Sequence, residues 1–464
     1  MELHPDVPQF FIDDTWIGYQ HRIVRRWMPA KVFPYPVIEP DRPWESRAIA
    51  HYGTVLPDPD GGYRMYYTDF SPEKKDASRT YLLFLARSPD GFRWEKPILG
   101  AVEWQGSRDN NIVVAFPWAA DSPSVIHDTS DPEAPWKMIV FHTPEREPWW
   151  NDRWGLYAYT STDGISWTMV EGVCLRAGDR TNLMAGKQAG KHVAYTRHVE
   201  MAEHTGTRAV YRSESDDFLA WTEPELVMRP DLNDEPDVEY YGMSVFQRHG
   251  WFLGLLEYWR ADVDVIETHL ACSRDGKTWT LPVPRRPFIA ATHDWNRTWS
   301  TCASNGPLII GDQMVFYFGG RWTSHHYDSA HQYGTIGYAS IPIDRFCAME
   351  ATAGGRLITP PFEWPGGELA LNADTRQSFT SHPAHTNGSI RIEVQDAEGA
   401  PLPGFSGDKA ATFSGNTHCR CAVNDGIVHW PGENKPAALR GKGLRLQFDM
   451  QHARLFTFQA STVS

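Results

Sequence analysis

The sequence predicts an all-β protein, a five-bladed β-propeller followed by a small antiparallel β-sandwich. Three observations predict it. The spacing Ser-x-Asp-x-x-x-Trp recurs as Ser88/Asp90/Trp94, Ser161/Asp163/Trp167, Ser215/Asp217/Trp221 and Ser273/Asp275/Trp279, with starts 73, 54 and 58 residues apart. Ahead of each recurrence stands the same arrangement of apolar strand, turn and second strand. The 20 Trp, 37 Gly and 34 Pro in 464 residues give the aromatic, turn-rich texture of stacked β-units rather than one continuous sheet.

Taken in order, the first strands read HYGTVL (51–56), DSPSVI (121–126), DRTNLM (179–184), YGMSVF (241–246) and SNGPLI (304–309). The second strands read RMYYTD (64–69), KMIVFHT (137–143), HVAYTR (192–197), FLGLLEY (252–258) and MVFYFGGR (314–321). A third strand, the Ser-x-Asp turn and a fourth strand complete each unit, and the fifth replaces the motif with YASIPIDRF. Short alternating strands from GELALNAD to RLFTFQ then read as the sandwich. The expected boundaries are an extension at 1–44 packing on the propeller, the propeller at 45–345 and the sandwich at 346–464. A chain of this length exceeds what one core fills.

The repeated motif reads as a structural turn. Ser and Asp bond nearby backbone, Gly supplies a left-handed position, and Trp packs at the blade periphery. In a four-stranded blade the start of the first strand and the loop after the second share one face. The turn between strands three and four lies on the other. Functional groups are therefore expected away from the Ser-x-Asp turns. The aligned starts are His51, Asp121, Asp179, Tyr241 and Ser304, and the aligned second-strand ends include His142, Arg197 and Glu257. Around them stand Glu45, Arg47, Arg180, Asn182, Glu239, Asn305, Arg321 and Trp322. Acids, His, Arg and Trp on one face suit sugar chemistry. Carboxylates move protons and stabilise an oxocarbenium-like state, Arg and Asn hold hydroxyls, and aromatic rings stack on the sugar. Asp121, Asp179, Glu239, Glu257, His51 and Glu45 are the catalytic candidates. Arg47, Arg180, Asn182, Arg197, Tyr241, Asn305, Arg321, Trp322 and His142 are the substrate-binding ones.

A net charge of −14 without a long basic run argues against nucleic acid and anionic membranes as partners. No stretch reaches transmembrane length, and the N-terminus MELHPDVPQFFIDDTW lacks the basic-then-apolar order of a signal peptide, so a cytoplasmic location is expected. The Cys419-x-Cys421 pair is too sparse for zinc, and the six cysteines are read as free thiols. His325, His326 and His331 with Glu257 match no standard metal spacing, so neither metal nor cofactor is expected.

Five four-stranded units, Ser-x-Asp-x-x-x-Trp turns and a trailing sandwich resemble the five-bladed propeller glycosidases. These are the invertase/levanase-like family 32 and arabinanase-like family 43 relatives. That resemblance implies a carboxylate at the start of the innermost strand in each of the first three blades. Asp121 then matches the blade-two residue that orients substrate and tunes its neighbour. Asp179 occupies the blade-three position, where the family has the general-acid Glu. At the blade-one position stands His51, with Glu45 six residues earlier, and the family strings W-M-N-D-P-N-G, R-D-P and E-C are absent. Three functions fit. One is an exo-acting glycoside hydrolase on a small oligosaccharide or glycoside. Another is a sugar lyase, with His51 or Tyr241 as base and Arg180 or Arg197 against a uronate. The third is a sugar-binding propeller without turnover.

Overall fold

The five predicted blades are present as five antiparallel sheets in a computed structural model of the protein. It describes all residues except 1, 70–80, 145–152, 200–206, 327–332, 377–387, 419–424, 433 and 463–464, together with the side chains of His51 and Val199. Blade I comprises Ile49–Pro57, Tyr63–Asp69, Leu82–Ser88 and Ile112–Ala115. Blade II comprises Ala119–His127, Trp136–Thr143, Gly155–Ser161 and Thr168–Met169. Blade III comprises Thr181–Leu183, His192–Val199, Arg208–Ser215 and Glu225–Met228. Blade IV comprises Val238–Arg248, Trp251–Arg260, Val265–Ser273 and Trp279–Thr280. The first strands of blades I to IV pack each against the next, the first strand of blade V packs against the second and third strands of blade IV, and blade V closes the ring on blade I. Among the described residues there is no α-helix, and no helix is long and apolar enough to cross a membrane.

Blade V departs from expectation twice. Its first strand is Trp299–Cys302, not 304–309, and a separate short strand, Leu308–Ile310, pairs with the same partner, Gln313–Arg321. The interruption locks blade V to blade I. Ser304 Oγ lies 2.6 Å from Thr54 Oγ1, and the Asn305 amide accepts from the Val55 N–H and donates to its carbonyl. The outermost strand comes from the N-terminal stretch, where Lys31–Val32 pairs with Ala339 and Ser340. Residues expected as a packed extension therefore complete a blade.

The chain divides into Ala30–Ser340, which is the propeller, and a second unit of Met1–Pro29 with Ile341–Ser464. The second unit is the sandwich. Its 19-residue strand Gly443–Ser461 pairs along its length with Cys347–Ile358, Glu368–Asp374 and Ser389–Asp396. Gln9–Phe10, Tyr19–His21 and Val24–Trp27 join the same sheet, so the first 29 residues belong here rather than to the propeller. Trp16, Phe362, Trp364, Phe448 and Phe458 fill its core.

The Ser-x-Asp turns are built as the motif suggests. Ser88 Oγ accepts from the Gly91 N–H at 2.8 Å, and Asp90 Oδ1 accepts from Phe92 and Arg93 N–H, both at 2.8 Å. The same bonds recur at Ser161/Asp163 and Ser273/Asp275. Three of the four turns also staple two blades. A tyrosine from the second strand of the preceding blade donates to the carbonyl of the turn glycine: Tyr66 to Gly164 and Tyr195 to Gly276, both at 2.8 Å, and Tyr317 to Gly91.

Candidate active site

Three of the five innermost strands are irregular at the same level. Register shifts fall between Ala50 and Thr54 in blade I and between Tyr240 and Gly242 in blade IV, and a shift in blade II lies beside Asp121. Ser122 there takes φ +47°, left-handed for a non-glycine residue. A bulge turns a strand and re-aims its side chains, and strained backbone concentrates where function requires it. Gly53 permits the blade I bulge: a Cβ at that position would come within 2.0 Å of the Tyr66 carbonyl oxygen.

These irregularities gather side chains from all five blades. Tyr52 of blade I and Tyr241 of blade IV bring their hydroxyls to 3.3 Å, and the Tyr241 hydroxyl lies 3.0 Å from His325 Nε2. Trp299 packs against Tyr52, Tyr241 and His325, and Trp259 stacks on His325 with centroids 5.7 Å apart. Guanidinium groups cover the rings: Arg180 over Tyr52 at 4.9 Å, Arg197 over Tyr241 at 4.3 Å, Arg208 over Trp259 at 4.6 Å and Arg321 over Trp299 at 4.2 Å. Cations over aromatic faces in a desolvated site gain electrostatic attraction that water would otherwise screen. Burial pushes the Tyr52 hydroxyl far above its ordinary range, with Tyr241 and Asp121 adding to the rise. Burial, with Arg321 and His326 beside it, lowers His325 to about 3, so its imidazole is neutral at neutral pH.

Four carboxyls stand in this cluster, in two kinds of environment. Glu257 is fully buried and takes Arg180 Nε at 2.9 and 3.1 Å on its two oxygens, while Arg180 Nη2 also donates to the Cys302 carbonyl at 2.9 Å. Asp179 is paired with Arg197, and Glu239 with Arg208 at 2.5 Å. Asp121 differs. Among the described residues its direct hydrogen bond is from Ser122 Oγ at 2.9 Å, and no guanidinium bonds it. Burial pushes its carboxyl above the usual carboxylate range, opposed by the Ser122 hydroxyl and by Arg197 and Arg180 nearby. Arg197 therefore acts on two acids, bonding Asp179 and sitting close enough to Asp121 to act on it through space.

Of the residues expected at the site, Asp121, Asp179, Glu239, Glu257, Arg180, Arg197, Tyr241 and Arg321 are brought together. Others are used elsewhere. Glu45 accepts from Tyr67 at 2.7 Å, from Lys96 at 2.7 Å and from the Asp41 and Arg42 N–H groups, a loop anchor on blade I. His142 is a satisfied core histidine, its ring nitrogens bonded to the Ala119 carbonyl at 3.1 Å and the Tyr159 hydroxyl at 2.9 Å. Asn182 bridges blades III and IV through the Met243 carbonyl and Ser244 Oγ. Asn305 is taken up by Val55, as described above. Arg47 and Trp322 are exposed. The side chain of His51, and all of His331, Cys419 and Cys421, lie outside the described residues. Among the described residues no group of three or more His, Cys, Asp or Glu is placed to hold a metal, and His325 is engaged with Tyr241.

Tyr52, Trp259 and Trp299 were not anticipated. The signal for Tyr52 was the dipeptide Tyr-Gly, shared by HYGTVL in blade I and YYGMSV in blade IV. Glycine inside a strand pattern marks a bulge or a close backbone approach, and both occur here.

No protein-family model matches the chain, and no curated protein matches it. Among solved structures, an N-acetylgalactosamine deacetylase from F. plautii in complex with blood group B trisaccharide is similar at 14% identity. The match covers 70% of this chain and 96% of that one, with a TM-score of 0.47. A glycosyl hydrolase from Bacteroides ovatus is similar at 14% identity over 69% of this chain and 95% of that one, TM-score 0.46. The α-L-arabinofuranosidase PaAbf62A from Podospora anserina, in complex with cellotriose, is similar at 12% identity over 68% of this chain and 99% of that one, TM-score 0.46.

Proposed function

We propose that the protein is a glycoside hydrolase that removes terminal sugars from a small oligosaccharide or glycoside at the propeller axis. The observation that carries this reading is the contrast between Asp121 and Asp179, on neighbouring blades with Arg197 acting on both. A carboxyl bonded by a guanidinium beside one that is not is an arrangement that can split acid and base roles. The roles are the reverse of those implied by family resemblance. Asp121, half-buried and without a bonded guanidinium, suits the proton donor. Asp179, against Arg197, suits the ionised carboxylate.

In this reading Asp121 gives its proton to the glycosidic oxygen as the C1–O bond breaks and its electron pair moves onto that oxygen. Asp179 either takes a proton from the water that attacks C1, or attacks C1 itself before water releases the sugar. Arg197 steadies Asp179 throughout. Trp299, Trp259 and Tyr241, buried beneath the guanidiniums that cover them, wall the site, and the Arg180–Glu257 pair braces it.

The test is kcat of wild type and Asp121→Asn on glycosides with poor and good leaving groups. Loss of about a hundredfold or more is expected on the poor leaving group, the usual worth of a positioned acid. Much of it should return with a good leaving group, which needs no protonation. A near-wild-type Asp121→Asn would end this assignment. A second reading is favoured by the Tyr241–His325 contact at 3.0 Å among several arginines. It is β-elimination on a uronate, with neutral His325 and Tyr241 moving the proton. An unsaturated, ultraviolet-absorbing product from a uronide would select it.

A further inference from the structure

A groove of about 880 Å³ runs along the outer edge of blade II where it faces blade III. That volume lies within the ~300–1,000 Å³ of small-ligand sites. Its walls carry Trp118, Tyr157, Arg153 and Glu171 from blade II, with Trp221 and Glu223 from blade III. Both ends of the blade II wall lead to the acid pair. Trp118 stands three residues before Asp121 on the innermost strand, about 10 Å away at ~3.3 Å per residue. The other wall, 173–176, pairs back through Leu175 with Leu156 at the start of the third strand, and its chain continues to Asp179.

The lining excludes several ligands. Arg and Glu side chains of both signs leave no preference for an anion or a cation, and their number on the wall does not suit a lipid. Cys174 donates to the Leu156 carbonyl at 3.2 Å, and burial pushes its thiol up to about 12, so it is no nucleophile. What remains is the pattern that neutral sugars need. Two half-buried tryptophans, Trp118 and Trp221, supply apolar surface, and Arg153, Glu171 and Glu223, all exposed, supply donors and acceptors for hydroxyls. The Arg153 guanidinium lies 5.7 Å over the Trp118 ring, which orders both.

We infer that this groove binds a neutral oligosaccharide and holds the part of the chain remote from the bond cleaved at Asp121. The inference rests on the carbohydrate reading above, and its test separates the two. Isothermal titration would use Asp121→Asn with mono- to hexasaccharides of glucose, xylose, arabinose, mannose and galactose, with and without Arg153→Ala/Glu171→Ala. The double substitution should raise Kd about tenfold, or ~1.4 kcal/mol, for chains of three residues or more. It should leave kcat and KM on a monosaccharide aryl glycoside unchanged in the otherwise wild-type protein. Equal Kd values with and without the substitutions, or no binding by any chain, would overturn the groove while leaving hydrolysis of the aryl glycoside intact. Length-dependent binding that the substitutions abolish, in a protein that turns over no glycoside, would uphold the groove and overturn the hydrolase.

Discussion

Arg180 and Glu257 form an ion pair that is sealed from solvent between blades III and IV, with Arg180 Nε 2.9 Å from Glu257 Oε2. Neither is free to meet a substrate by itself. Two ions taken out of water are tolerable only when each satisfies the other, and removing one partner strands the other in low dielectric. Glu257→Gln should therefore destabilise the propeller by about 3–5 kcal/mol, measured by urea unfolding. Arg180→Met/Glu257→Leu should cost less than the sum of the singles. Gly242→Ala probes the same place without altering charge, since its Cβ would meet Arg180 Cγ at 2.5 Å and Glu257 Oε2 at 2.8 Å. A Glu257→Gln protein as stable as wild type would show that the pair does not hold the axis together.

Asp121 links activity to stability with a definite sign. Its carboxyl is raised in the folded protein above the ordinary 3.8, so the fold binds the proton more tightly than the unfolded chain does. Stability is then full below 3.8 and falls as pH rises through the window up to the raised value, and the loss persists above it. Asp121→Asn removes this penalty. The variant should melt at a higher temperature than wild type at pH 7 and converge with it below pH ~3.8, while kcat falls. In wild type, kcat/KM should decline as pH rises through the same group. A variant that is less stable than wild type at every pH would contradict the assigned burial.

His142 has the opposite dependence. Burial lowers it from 6.5 to about 4, so between those values the unfolded chain binds a proton that the folded protein does not. Stability is full above 6.5 and falls as pH drops to about 4, by on the order of 3 kcal/mol across the window. His142→Gln should flatten the decline between pH 6.5 and 4 and leave aryl-glycoside turnover at pH 7 close to wild type. A large loss of turnover with an intact fold would return His142 to the site.

Much of the architecture was legible because it is local. Alternation marked the blade strands, and Ser-x-Asp turns close within a few residues, so both leave a pattern in the sequence. The Lys31–Val32 strand was not legible, since two residues carry no period and their partners lie some 300 positions away. The site was legible in composition and only partly in detail. Asp121, Asp179 and Tyr241 fell out of the blade alignment. Arg180 and Glu257 look like separate functional groups in the sequence, because 77 residues separate two ends of one ion pair. Glu45, His142 and Asn182 show the same gap. Each sits where a pocket residue would, and each is held by a partner from another strand or blade that periodicity does not reveal.

The inter-blade staples make the last prediction. Tyr66, Tyr195 and Tyr317 each donate to the turn carbonyl of the next blade, and the glycine there takes positive φ, as at Gly164 (+74°) and Gly276 (+73°). At the blade II–III junction both partners change together. Ile139 stands at the tyrosine position, three residues after the one opposite the motif serine, and Phe218 at the glycine position, with φ +72°. Both are buried in one apolar cluster, so apolar packing stands there in place of a hydrogen bond. Tyr195→Phe should cost about 1 kcal/mol, the net worth of such a bond, and somewhat more if the carbonyl is left unsatisfied. Ile139→Tyr alone should destabilise by about 1–3 kcal/mol through overpacking against Phe218. Adding Phe218→Gly removes the obstruction, relieves a left-handed non-glycine residue and exposes the carbonyl to the new hydroxyl. The double-mutant cycle, read by urea unfolding, should show favourable coupling of about 0.5–3 kcal/mol. Additive behaviour would mean that the tyrosine and the glycine are not a unit, and that the repeated motif is a turn without an inter-blade role.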